Sequence, residues 1–123
     1  MGRVLVVDDD RAVCSLLTGA LEEAGLEARC VHTAIDAFTA LKAPLPYEAM
    51  IVDINLRAGP TGFDVARFAR RSAPDLAIVY VSGDASLDSF ETFGVPNSDF
   101  IEKPFTPEDV VRTLTARLTP RRD

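Results

Sequence analysis

The chain has 123 residues, 13 Lys and Arg against 19 Asp and Glu, a net charge of −6 and 47% hydrophobic residues. That length fits one domain, and the apolar content can build a core without a metal or disulfide staple. The acidic balance argues against direct nucleic-acid binding and against an anionic membrane partner, both of which need a basic footprint. The only cysteines are Cys14 and Cys30. Two cysteines do not make a secreted disulfide framework, so they read as ordinary reduced residues of a cytoplasmic protein.

Val4 to Val7 is a β-branched apolar run ended by Asp8, which reads as a strand. It is too short for a signal peptide or for membrane insertion. From Arg11 to Ala24, Val13, Leu16, Leu17, Ala20, Leu21 and Ala24 form the stripe of an amphipathic helix, with Gly25 as its stop. Glu27 to His32 reads as a second strand, and Ala34 to Lys42 as a helix closed by Pro44 and Pro46. Ala49 to Val52 is a third apolar run, ended by Asp53. After a Gly/Pro loop, Phe63 to Arg71 is helical, with Val65, Phe68 and Ala69 on one side. Leu76 to Val81 is continuously apolar and predicts a central strand covered on both faces. Residues 84–93 hold Asp84, Ser86, Asp88, Ser89 and Thr92, all mediocre helix formers, so they predict a short, easily repositioned helix. Phe100 and Ile101 make a brief last strand. Thr106 then caps a final helix with Pro107 at its first position and Val110, Val111, Leu114 and Leu118 as its stripe.

This is β-α five times over, which predicts a parallel sheet with helices on both faces and ligands outside the carboxyl ends of the strands. Asp8-Asp9-Asp10, Asp53, Ser82-Gly83 and Lys103-Pro104 all fall at such ends. Two like charges about 4 Å apart cost roughly 4 kcal/mol near a surface, so the acidic cluster needs a cation, either a divalent metal, the Lys103 ammonium or both. All-oxygen ligands suit Mg²⁺, and a carboxylate can attack phosphorus to give an acyl phosphate. Phosphoryl transfer asks mainly for positioning and charge neutralisation, which a metal, a lysine and a hydroxyl supply. For Asp10, just ahead of the first helix, a helix cap is the simpler reading.

The segments VLVVDDD at 4–10, MIVDINL at 50–56, IVYVSGDA at 78–85 and FIEKPF at 100–105 resemble, in order and near spacing, the receiver domains of two-component response regulators. The resemblance spans nearly the whole chain and implies one receiver domain over residues 1–123. The implied fold is flavodoxin-like, a doubly wound (βα)5 unit with strand order 2-1-3-4-5. It implies that Asp53 is the phosphoacceptor and that Asp8, Asp9, Asp53 and the main-chain carbonyl of Asn55 hold Mg²⁺. Ser82 and Lys103 would meet the phosphoryl oxygens, the Lys103–Pro104 bond would be cis, and Ser82 with Phe100 would form a switch. Implied partners are a histidine kinase or phosphotransfer protein, or a small phosphodonor, and a downstream target or output domain. The chemistry would be that of a signalling domain rather than an enzyme, read out on the fourth helix, fifth strand and fifth helix.

Arg57 stands where the family usually has proline, the loop from Asp53 to Gly62 is one residue longer than common, and Phe100 lacks a hydroxyl. Asn55 and Asp84 flank the acceptor and would tune the lifetime of the phosphorylated form. Asp8-x-Asp10 also resembles the haloacid-dehalogenase phosphatases, but that reading leaves Asp53 idle and the chain has little room for their cap. A pseudo-receiver that never accepts phosphate is the third reading. His32, Arg70, Arg71, Arg121 and Arg122 read as chemically silent, the arginines as solvated charge.

Overall fold

A computed structural model describes residues 2–43, 46–56, 59–83 and 87–118. The expectations attached to Pro44, Arg57, Asp84, Arg121 and Arg122 lie outside those residues. The elements run β1 (Arg3–Val7), α1 (Arg11–Glu23), β2 (Glu27–Val31), α2 (Ala34–Leu41), β3 (Ala49–Asp53), α3 (Gly62–Ser72), β4 (Ala77–Ser82), α4 (Leu87–Phe93), β5 (Ser98–Glu102) and α5 (Pro107–Leu118). The five strands are parallel in the order β2-β1-β3-β4-β5, as expected.

Side chains alternate across the sheet and make two cores. Leu5, Val7, Met50, Val52, Ile78 and Tyr80 pack against α2 and α3. Val4, Val6, Ile51, Val79 and Val81 pack against α1 and α5 through Leu17, Leu21, Val110 and Leu114. Strands buried on both faces read as unbroken apolar runs, because neither side meets water. Each fully buried Val, Leu or Ile contributes about 1.5–3 kcal/mol. The buried stripe of α1 is Cys14, Leu17 and Leu21, whereas Leu16 is 59% exposed. α1 packs against β2 and α5 through that stripe, and Leu16 falls outside it, off the face that the periodicity gave it.

Helix ends are set locally. Asp10 accepts from the Ala12 and Val13 amides at 2.9 and 3.3 Å and caps α1, as its position predicted. Thr61 and Asp64 form a capping box at α3. β5 runs from Ser98 to Glu102, longer than the Phe100–Ile101 pair expected, because the backbone ladder to β4 extends over polar residues at the edge.

Cys14 in α1 and Cys30 in β2 are joined in a disulfide, their Cα atoms 6.0 Å apart. This corrects the expectation of two reduced cysteines. A pairing between an amphipathic helix and the edge strand beneath it leaves no periodic mark in a sequence with one possible bridge.

Arg70 is not solvated charge. Its guanidinium donates to the carbonyls of Leu76 (2.9 Å), Pro96 (2.5 Å) and Asn97 (2.8 Å), tying α3 to the turn before β4 and the turn before β5. Asn97 holds φ +59°, a conformation Asn tolerates better than most residues. Arg71, by contrast, is exposed. Replacing Arg70 with Ala strips three carbonyls of a charged donor, and chemical denaturation should show a loss of about 2 kcal/mol, with Arg71→Ala close to neutral.

α4 contains no buried residue, and its Leu87 and Phe93 are 54% and 55% exposed. Its anchorage is Phe90, stacked on Phe100 with ring centroids 5.5 Å apart and edge-on to Tyr80 at 5.7 Å, together with Phe93, whose half-exposed ring lies 5.8 Å from that of Phe63. Few buried contacts mean a low free energy of local opening. Hydrogen exchange should therefore find the amides of Glu91–Phe93 exchanging at least tenfold faster than those of Leu17–Leu21. Equal protection would contradict the marginal packing of α4.

Candidate functional site

The strand registers bring the charged residues together. Val7 pairs with Val52, so Asp8 and Asp53 emerge side by side from β1 and β3. Asp53 pairs with Val81, placing Ser82 one residue beyond on β4. Ser82 pairs with Glu102, so Lys103 leaves β5 next to it, and its amide donates to the Ser82 carbonyl at 2.8 Å. The Lys103–Pro104 peptide is cis, as the resemblance implied.

Lys103 Nζ lies 3.2 Å from Asp8 Oδ2 and 3.3 Å from Asp53 Oδ2, bridging both carboxylates. Asp8 is fully buried and Asp53 is 5% exposed. Their second oxygens accept from backbone, Asp8 Oδ1 from the Asp10 amide at 2.9 Å and Asp53 Oδ1 from the Asn55 amide at 3.1 Å. Carboxylate oxygens of Asp8, Asp9 and Asp53 all lie within 4.8 Å of one another. Anionic hard oxygen donors at that spacing fit a hard divalent cation.

One ammonium does not offset this cluster. Burial, together with the neighbouring Asp8, raises the Asp53 pKa to about 6 against the pull of Lys103 and the Asn55 amide. Burial likewise raises Asp8. At Lys103, burial acts to lower the pKa, but the two carboxylates outweigh it and the ammonium is held above its ordinary value.

The Ser82 hydroxyl is buried, and the Asn55 side-chain amide reaches it at 3.5 Å. Phe100 is half-buried against Phe90, and the ring chain continues through Tyr80 to Phe63. Every residue singled out from the sequence at a strand end thus lies at one edge of the sheet, and Phe100 lies just behind it on β5. Asp10 alone turns away to cap α1.

Two supports were not legible in the sequence. A Cβ on Gly62 would fall 2.2 Å from the Asp53 carbonyl oxygen, so α3 can begin beneath Asp53 only with glycine there. The Gly62 amide donates to the Ile54 carbonyl at 2.9 Å and closes that loop. The buried Tyr80 hydroxyl accepts from the Val95 amide at 3.2 Å, holding the segment between α4 and β5. Neither glycine in a loop nor tyrosine in an apolar run signals a partner that distant.

Residues 4–115 match the response regulator receiver domain family. A crystal structure of a response regulator receiver protein from Sinorhizobium medicae WSM419 is 32% identical, covers 95% of this chain and 94% of its own, and superposes with a TM-score of 0.90. A CheY-like receiver domain protein from Methanospirillum hungatei JF-1 is 26% identical over 96% of this chain and 94% of its own, with a TM-score of 0.84. The DNA-binding response regulator MtrA of Mycobacterium tuberculosis H37Rv is 29% identical over 94% of this chain and 50% of its own length. The response regulator MprA of Mycobacterium avium shows the same identity over 94% and 50%. The chain therefore spans about half the length of these curated relatives.

A folded-state pKa above the unfolded one means stability present at low pH and lost as pH rises through the folded value. For Asp53 the window runs from its ordinary 3.8 to about 6. In a chelating buffer, urea denaturation between pH 4 and pH 7 should show Asp53→Asn gaining stability relative to the wild type as pH rises. A constant difference across that range would contradict the crowding of Asp53.

Proposed function

This chain belongs to the receiver-domain family of response regulators, and we propose that residues 1–123 form one receiver unit in which Asp53 takes the phosphoryl group. The observation that carries this reading is the Lys103 ammonium bridging Asp8 and Asp53 at the carboxyl edge of a parallel sheet. Asp8, Asp9 and Asp53, with the main-chain carbonyl of Asn55, would hold Mg²⁺, which neutralises charge on the transferring phosphoryl oxygens.

An Asp53 carboxylate oxygen attacks phosphorus in line, and the bond from phosphorus to the imidazole nitrogen of a kinase or phosphotransfer protein breaks. A small acyl phosphate serves as an alternative donor. Lys103 pairs with a phosphoryl oxygen and Ser82 donates to another. Phe100 moves toward the space behind Ser82, by shape alone since it lacks a hydroxyl, and the surface of α4, β5 and α5 changes for a downstream partner or output domain. The few kcal/mol that such a switch needs are within reach of a doubly charged group. Water then cleaves the acyl phosphate to carboxylate and phosphate, and Asn55 and Asp84 tune that rate. The domain signals and turns over no separate substrate.

Among the described residues no helix is long and apolar enough to cross a membrane, and we place the unit in the cytoplasm. With its net charge of −6, the unit itself would not contact nucleic acid.

The phosphatase reading would need Asp8 and Asp10 as the working pair, yet the Asp10 carboxylate is committed to two helix amides. Incubation with a small acyl phosphate and Mg²⁺, followed by borohydride trapping and peptide mass mapping, should place the label on Asp53. Asp53→Asn should lower incorporation at least a hundredfold. Label on Asp8, or none on the wild type, would overturn the assignment.

A further inference from the structure

The Cys14–Cys30 pair stands beside the acidic cluster. Cys30 on β2 and His32 just beyond it are two residues apart and so share a face, and α1 lays Cys14 over that face. Cys14 Sγ is 3.7 Å from His32 Nδ1. The Asp8 carbonyl oxygen lies 3.5 Å from Cys14 Sγ and 3.0 Å from His32 Nδ1, and the Asp8 amide donates to the Val31 carbonyl at 3.1 Å. The main chain that aims the Asp8 carboxylate at Lys103 is thus tied to the end of β2 through Val31 and His32, and the Cys14 sulfur of α1 lies against its carbonyl.

We propose that Cys14 and Cys30 form a redox modification site whose state sets how firmly Asp8 is held. As thiols, Cys14 can donate S–H to the Asp8 carbonyl, whereas the disulfide sulfur has no hydrogen to give. In exchange, the disulfide ties the first turn of α1 to the end of β2 by a covalent bond, and Asp8 lies between them. The two sulfurs are unequal. Cys14 is 3% exposed, while Cys30 is only partly buried and is the one a reagent meets.

The reaction is a two-electron oxidation by a hydroperoxide. The Cys30 thiol attacks the peroxide O–O bond, giving the sulfenic acid and one molecule of alcohol or water. The Cys14 thiol then attacks the Cys30 sulfur, the S–O bond breaks, and the hydroxyl leaves as water with the thiol proton. A dithiol reductant returns both thiols and becomes a disulfide itself.

The consequence for Asp8 rests on the receiver reading, but the bond does not, and the experiment separates them. The full chain is reduced, treated with one equivalent of hydrogen peroxide, alkylated and weighed. The site predicts a product two hydrogens lighter that resists alkylation and is reversed by dithiothreitol. Cys14→Ser should stop at a Cys30 sulfenic acid trapped by dimedone, and Cys30→Ser should give neither product. Mg²⁺ titration followed at the Asp8 and His32 amide resonances should then show at least threefold tighter binding to the disulfide form. Two freely alkylated thiols after peroxide would overturn the site, as would a reduced protein that retains stoichiometric Zn²⁺ and forms no bridge. Equal Mg²⁺ affinity in both forms would overturn the link to Asp8. Absence of Mg²⁺ binding in both forms would instead sink the receiver-site reading and that link together, with the mass result still deciding the bond. Should either variant misfold, the wild-type masses alone decide it.

Discussion

Two buried carboxylates, Asp8 and Asp53, are forced together because their strands are neighbours in register, and a single ammonium from a third strand lies between them. With Asp9 alongside, the edge carries three acids against one lysine. Like charges at such spacing repel by several kcal/mol near a surface and by more in a low-dielectric interior. The fold can hold this arrangement because backbone amides and Lys103 occupy the carboxylate oxygens. Hard oxygen donors crowded in this way suit a divalent cation. The pKa of Asp53, raised to about 6, is the same fact seen as titration.

The rest of the molecule fixes that edge in place. β1, β3 and β4 are apolar on both faces and sandwiched between two cores, so their ends cannot slide relative to each other without exposing Val, Ile and Leu. β5 differs. It is an edge strand, half-buried, carrying Phe100 and leading directly into Lys103, and behind it α4 buries no residue fully. The lysine paired with Asp53 therefore sits at a half-buried edge of the sheet. The aromatic series Phe63, Tyr80, Phe90 and Phe100 runs from the α3 core to that side. Packed rings transmit displacement, because a close-packed interior has few voids to absorb it.

The opposite side of the site is anchored covalently. Cys14–Cys30 joins α1 to the outer strand β2, while Asp10 closes the helix start above it. The Asp8 end of the cluster is thus braced where the Lys103 end is loose. Arg70 acts in the same sense elsewhere, drawing together three backbone carbonyls at the far end of the sheet from the acids. Both braces depend on residues far apart in the chain.

Alternating apolar runs and helical stripes are short-range patterns, and they determined the ten elements, the parallel sheet and the edge where charged residues collect. Asp8, Asp9, Asp53, Ser82 and Lys103 could be identified because each falls within two residues of the end of such a run. The choice of Asp10 as a cap was equally local, since an N-cap contacts amides two and three residues away. Everything that depends on a crossing of elements was decided only by the tertiary structure. It turned Leu16 out to solvent, gave Arg70 three carbonyls, required glycine at position 62 and brought Cys14 onto Cys30. Periodicity reports which face of an element is apolar, but the choice of neighbouring helices and strands, which sets these contacts, arises only when the faces pack together.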